Sequence, residues 1–269
     1  MSRNRKKGMI GRIYVWLIYA FLYAPILVLI FFSFNQSKSR ADFTGFSFKW
    51  YVQLFHNETI WASLSNTLII ALLSSLIATI LGTVAAIGIN GMKKRPRGLS
   101  MQLTYIPIIN PEIVTGISML LLFTFIGMKM GMLTVLIAHV TFCVPYVILN
   151  VLPKLRQMDP SMYEAAQDLG CNPRQAFFKV VLPDIMPGVL SGLLMSFTFS
   201  LDDFIITFFV NGTSFETLPI TIYSMTRRRV SPEINALSTL IFVVVLALLL
   251  VSNIVDARKA KALGRKESI

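Results

Sequence analysis

The sequence predicts an all-α integral membrane protein of six transmembrane helices. Three observations lead there. Apolar residues make up 55% of the 269 positions against 14% charged, with mean hydropathy +0.67, a balance too apolar for a soluble globular chain. Six apolar runs are each long enough to cross a hydrocarbon core, which takes about 20 helical residues. The basic residues sit between those runs rather than along them.

The first expected span runs from Ile13 to Phe34. It follows a basic stretch, as a secretory signal does, yet it is too long for a signal's apolar core and has no small-residue cleavage site, so it is read as a retained helix. The others are expected at Trp61–Ile89, Leu99–Ile126, Met132–Val151, Pro187–Val210 and Asn235–Val255, in one transmembrane domain covering 1–269. The third contains Pro107, Asn110 and Pro111 and is expected to be broken near mid-membrane, exposing carbonyls that could line a cavity.

Charge sets the orientation. Arg3, Arg5, Lys6, Lys7, Arg12, Lys93, Lys94, Arg95, Arg97, Lys154, Arg156, Arg174, Lys179, Arg258, Lys259, Lys261, Arg265 and Lys266 fall on one side. Only Lys38, Arg40, Lys49, Lys129 and the run Arg227, Arg228 and Arg229 fall on the other. Cytoplasmic retention of basic residues therefore puts both termini inside. The arginine triplet is a local exception. The net charge of +12 is spent at these boundaries, and the C-terminal run from Arg258 to Lys266 reads as an anchor at anionic headgroups rather than a nucleic-acid surface. Two cysteines and two histidines are too few for a disulfide framework or a four-ligand zinc site. His139 and Cys143, one turn apart, read as packing residues; His56 and Trp61 mark an outer interface.

The loop from Pro153 to Met186 holds the most specific pattern. Asp159 and Pro160 start a short helix, with a capping carboxylate and a proline at its first position, and Gly170 stops it. Met162, Ala165, Ala166 and Leu169 share one face; Glu164 and Asp168 share another. An acidic polar face argues for a partner rather than lipid headgroups. A second helix starts at Asn172 and Pro173 and is expected to end at Pro183.

Glu164-Ala165-Ala166, then Gly170, Val180, Leu182 and Pro183, resembles the EAA loop of bacterial ABC importer permeases, with Val180 standing where that pattern has isoleucine. The resemblance implies the type I importer permease fold in the bacterial cytoplasmic membrane. It also implies coupling to a cytoplasmic ATPase through Glu164, Ala165, Ala166, Gly170, Leu182 and Pro183. ATP and Mg2+ would then be used by that partner, with no cofactor bound by this chain and no catalysis by it; consistently, no G-x-x-x-x-G-K-[ST] phosphate loop occurs.

The likeness extends to permeases of spermidine/putrescine importers through Tyr23-Ala24-Pro25-Ile26, Phe48-Lys49-Trp50-Tyr51, the stretch His139 to Pro145 and the stretch Ser196 to Asp203. Leu218-Pro219, the stretch Ile222 to Met225 and the stretch Ser231 to Leu237 continue it. Such a family implies a paralogous permease partner, two ATPase copies and an extracytoplasmic polyamine-binding protein. It also implies a substrate-pathway role for Trp50, Glu112, Asp202 and Asp203.

The acids support this physically. A carboxylate at a helix centre in lipid costs about 2.5–3.5 kcal/mol on insertion scales, so Asp202 and Asp203 must face water, a cation or a polar partner. Adjacent helical positions point about 100° apart, so one of the two can face a pathway while the other reaches its wall or a neighbouring helix. The structural alternative is that one aspartate caps or pairs with Ser200, Thr198 or an arginine of the partner permease. A polyamine needs separated carboxylates with aromatic or methylene surface between them. The rival readings are another cationic or organic solute, or a secondary carrier or channel; for the last, paired broken helices in inverted repeats are not evident.

The charge asymmetry makes a direct prediction. Single cysteines at Gln36 and Ser214 are expected to react with an impermeant thiol reagent on intact cells, and cysteines at Ser100 and Ser161 only after permeabilisation.

Overall fold

A computed structural model describes residues 3–38, 42–228, 232–247 and 250. Among the described residues the regular structure is helical; the one β-type pairing is an isolated bridge between Asn35 and Phe46. The chain divides into two compact units, residues 59–221 and residues 1–58 with 222–269.

The larger unit is built on α3 (Glu58–Gly91), α6 (Met132–Gln157) and α9 (Leu182–Asp202). Small residues let these helices approach closely, as lipid-embedded helices must when apolar side chains gain little by leaving lipid for each other. Val147 of α6 is fully buried between Gly82 of α3 and Gly192 of α9. A Cβ on Gly82 would lie 2.5 Å from Val147 Cβ, and one on Gly188 2.7 Å from the Asn150 carbonyl. Ser196 continues the Gly188, Gly192 spacing, and its carbonyl accepts from Cys143 Sγ at 3.5 Å.

The third span is broken as expected. Helix α4 (Lys94–Ile109) and helix α5 (Glu112–Phe125) meet at 103° across Asn110 and Pro111. Pro111 cannot donate a backbone hydrogen bond, and the residue before a proline is driven to extended backbone; Asn110 has ψ 133°. Asn110 Nδ2 donates to Thr115 Oγ1 at 3.2 Å, tying the corner to α5.

The segment after the fourth span departs from expectation at Pro183. Helix α7 (Pro160–Asp168) begins and ends as predicted: Asp159 accepts from the Ser161 N–H at 3.0 Å, and Gly170 adopts φ +86°. The Cys171 and Gly170 amides return to the Ala166 and Gln167 carbonyls, closing the C-terminus. The four-residue helix α8 (Pro173–Ala176) opens with a reciprocal cap between Asn172 and Gln175. It does not stop at Pro183. A π-helical turn over Phe177–Val181, in which the Leu182 amide reaches the Phe177 carbonyl, carries the chain straight into α9. One apolar helical span thus runs through Pro173–Asp202. The extra residue in that turn absorbs the proline, which a regular helix would have had to kink around.

The fifth span also ends sooner than expected. Instead of continuing to Val210, α9 stops at Asp202; Asp203 has extended backbone with ψ 123°, and a six-residue helix α10 (Ile205–Val210) follows. Helix α10 packs on α5 and α6, and Gly116 of α5 makes the approach possible, since a Cβ there would meet Phe209 at 2.7 Å. The loop after α10 is tied to α3: Thr67 Oγ1 accepts from the Leu218 N–H at 2.7 Å, and the Ser63 and Thr221 hydroxyls meet at 2.6 Å.

The smaller unit contains α1 (Arg3–Ser33), α2 (Lys49–Phe55) and the apolar helix α12 (Pro232–Ala247). Its 34–51 segment is an aromatic cluster in which Phe34 stacks on Phe46 and meets Phe48 and Tyr51. Asn57 donates to Glu233 at 2.8 Å. Between the units in sequence lies α11 (Leu218–Arg228), which carries Arg227 and Arg228. Arg40, Arg229, the far end of the expected sixth span and the basic run from Arg258 to Lys266 lie outside the described residues. Among the described residues, counting the bent α4–α5 pair as one, five helical segments meet the length and polarity needed to cross a membrane, and α12 is a shorter apolar helix.

The close packing around Val147 is testable. Gly82→Leu and Gly192→Leu should each destabilise the protein by about 1–3 kcal/mol through overpacking, read as a lower melting temperature in detergent. Gly88→Leu, at a position with open space around it, should leave melting unchanged.

Candidate functional site

Both breaks in the larger unit open on one cavity of about 450 Å³. Its wall includes Pro107, Glu112 and Thr115 from the α4–α5 corner, Phe142 and Tyr146 from α6, Thr198, Phe199 and Asp202 from the end of α9, and Asp203 after it, together with residues of α10. Glu112 is the first residue of α5 and is exposed. Tyr146 and Phe199 pack ring to ring, centroids 4.5 Å apart, so the cavity joins carboxylates to aromatic surface.

The two aspartates part company. Asp203 is turned into the protein, its side chain 5% exposed. Its carboxylate accepts from the Thr207 N–H at 2.8 Å, the Thr207 hydroxyl at 2.7 Å and the Ile206 N–H at 3.3 Å, capping α10. The His139 ring lies 3.3 Å away. Asp202, one residue earlier and the last of α9, is exposed and borders the cavity. It stands where the unpaired carbonyls of a 21-residue helix gather negative potential.

His139 was expected to be a packing residue; it is the hub of a buried polar network. The ring is 1% exposed. Nδ1 meets the Ser200 hydroxyl at 2.7 Å, Ser200 meets Ser74 at 2.8 Å, and Nε2 meets the Thr207 hydroxyl at 2.9 Å. Four helices are thereby joined across the α9–α10 break. Spacing alone could not reveal this, because Ser74 and Ser200 are far from His139 in sequence. Tyr146 and Phe199 were likewise not singled out; as aromatic residues in an apolar span they carry no sequence signal that separates cavity from lipid. Among the described residues no group of three or more His, Cys, Asp or Glu could hold a metal.

Trp50 belongs to the smaller unit, where it is buried; its ring N–H donates to the Asn35 carbonyl at 2.6 Å and Lys49 Nζ sits 5.4 Å above the ring.

The residues of the loop motif lie on α7 and the start of α9. Ala166 is buried, whereas Met162, Ala165 and Leu169 are exposed, Leu169 by 87%. Gly170 closes the helix, and Leu182 and Pro183 sit at the join of the π turn and α9. Glu164 and Tyr163 border a second cavity of about 530 Å³, with Ile87, Asn90, Leu155, Phe177 and Val181. The Ser161 N–H holds the exposed Asp159 carboxyl below the usual carboxylate range.

Residues 78–263 match the family described as binding-protein-dependent transport system inner membrane component. The chain belongs to that family. As an inner membrane component it is a multi-pass permease subunit of an importer, a non-catalytic part of the transport machinery. Similar proteins include the spermidine/putrescine transport system permease protein PotC of Haemophilus influenzae, 38% identical over 91% of this chain and 95% of that one. The putrescine transport system permease protein PotI of Escherichia coli K12 is 42% identical over 83% of this chain and 82% of its own length. Among solved structures, the fold is similar to a chain of a bacterial ABC transporter for import of the acidic polysaccharide alginate, with TM-score 0.74 at 16% identity over 95% of this chain and 97% of that one.

The division between the aspartates makes a prediction for this permease component. Asp203→Ala leaves His139 and two α10 amides without their buried acceptor and should cost about 3 kcal/mol. Asp202→Ala, at an exposed position, should leave the melting temperature in detergent unchanged.

Proposed function

We propose that this chain is one half of the translocation path of an ATP-driven polyamine importer, with Glu112 and Asp202 as the carboxylates that meet the passing cation. The observation that carries this is the cavity, where two exposed acids from two broken spans share a wall with Tyr146, Phe199 and Phe142. Ammonium groups gain from the carboxylates, from the negative end of α9 and from ring faces, and the methylene chain gains from apolar wall. Asp203 serves the same path as a structural wall residue. The relatives named as spermidine and putrescine permeases support the substrate class.

In this reading the permease forms a single membrane domain with both termini cytoplasmic. It pairs with a paralogous permease, receives cargo from an extracytoplasmic binding protein, and docks an ATPase dimer that uses ATP and Mg2+. Glu164, Ala165, Ala166 and Gly170 shape the docking helix, and Leu182 and Pro183 join it to α9. The exposed apolar residues Met162 and Leu169 support that role, since a surface that keeps them bare needs a partner. Cargo moves by alternating access, as ATPase closure pushes on α7.

Uptake of radiolabelled spermidine and putrescine into cells tests the path. Glu112→Gln and Asp202→Asn should each lower uptake at least about tenfold, the loss of one charge-assisted interaction in a partly dry site, with the amount of assembled complex in the membrane unchanged. Full uptake in both variants would remove the electrostatic path and the main physical argument for a cationic cargo.

A further inference from the structure

We propose that His139 is a positioning residue for transport: by bridging the break in the fifth span it fixes the direction in which Asp202 faces the cavity. The inference rests on the reading of Asp202 as a pathway carboxylate. Its geometry stands on the ring's contacts. Nδ1 holds Ser200, two residues before Asp202, and Nε2 holds Thr207 and Asp203 beyond it. The Thr207 hydroxyl proton is already engaged with Asp203 Oδ2 at 2.7 Å, so Nε2 carries the proton that it shares between Thr207 Oγ1 and that carboxylate. Nδ1 then accepts from the Ser200 hydroxyl, which accepts in turn from Ser74.

Asp202 is thus bracketed on both sides by groups that one imidazole holds. With Ser200 and Asp203 turned inward on the same face, the residue between them at about 100° from Asp203 is turned outward. The other Asp203 contacts lie within α10, and the far end of α10 is fastened to α6 separately, where Thr134 Oγ1 donates to the Val210 carbonyl at 2.7 Å. Without the ring, α10 keeps its cap and its far-end tie to α6, but the break itself loses the hydrogen bonds that the imidazole makes on either side of Asp202. A pure packing role would ask only for the volume of the ring. A positioning role asks for a donor at the Nε2 position.

The test reads where residue 202 points. In permeabilised membrane vesicles holding the assembled transporter, with Cys143→Ala and Cys171→Ser removing the native thiols, Asp202→Cys introduces a thiol whose rate of reaction with a small cationic methanethiosulfonate is measured. Adding His139→Asn, whose amide reaches the Nδ1 position alone, should slow that reaction about tenfold, the scale of one hydrogen bond to a charged group. Adding His139→Gln, whose amide reaches the Nε2 position, should keep the rate within about twofold of the parent, since the cross-break bond survives. Thr207→Val keeps the volume, removes one of the two Nε2 acceptors together with the hydroxyl bond to Asp203, and should slow the reaction by about threefold; it decides alone if His139→Asn does not assemble. Equal rates in all variants at matched complex yield would overturn the proposal. So would a fall of equal size for His139→Asn and His139→Gln, the pattern of lost packing. Uptake by Asp202→Asn is measured in parallel. Undiminished uptake there counts against the pathway reading, while the thiol rates, which report orientation alone, still decide what His139 does.

Discussion

A hydrocarbon interior has no water to satisfy a backbone N–H or C=O, so irregular backbone at membrane depth survives only where protein or a water-filled cavity receives it. That constraint orders the larger unit. The chain leaves helical geometry at Asn110–Pro111 and at Asp203–Phe204, and both departures border the same cavity. Each is repaired by side chains close at hand. Asn110 reaches Thr115 at the first corner, and the Asp203 carboxylate takes two amides and a hydroxyl at the second. The acids therefore do two kinds of work in one place. Asp203 supplies the acceptor that makes the break tolerable, and the break leaves Asp202 free to face the opening.

The rigid and yielding parts of the unit follow from residue size. Around Val147, glycines on α3 and α9 bring three helices to backbone distance, where little adjustment is possible. The α5–α10 contact also depends on a glycine, Gly116, but α10 is only six residues long and is held by polar contacts at its start. A closely packed three-helix wall thus stands beside a short element whose position is set by hydrogen bonds.

Much of this was legible in the sequence. Proline at 107 and 111 announced the broken third span, because an imide nitrogen cannot join the helical ladder. Asp159, Pro160 and Gly170 bounded α7, because capping is decided by neighbours in the chain. The motif from Glu164 to Pro183 identified the family class before any geometry. What stayed hidden depended on distant partners. Pro183 was read as a stop because local rules say so, and the π turn that carries the helix through it reflects the packing of 177–181 against α7 and α9. Asp202 and Asp203 could not be told apart because their difference is made by His139 and Thr207. Trp50 was named by likeness alone, and its hydrogen bond to Asn35 is a property of the folded aromatic segment that spacing does not reveal.

The helix that runs unbroken through Pro173–Asp202 spans 30 residues, or about 45 Å at 1.5 Å per residue. Its near end is joined through Asn172 to the exposed face of α7, and its far end is Asp202. Under the proposed function this stiff member carries a docking surface at one end and a cargo-facing charge at the other, and two such sites obey thermodynamic reciprocity. Whatever factor a docked ATPase then applied to the affinity for cargo at Asp202, bound cargo would return to the affinity for the ATPase, with the same size and sign. The idle and the loaded importer would then differ in how firmly their motor is held.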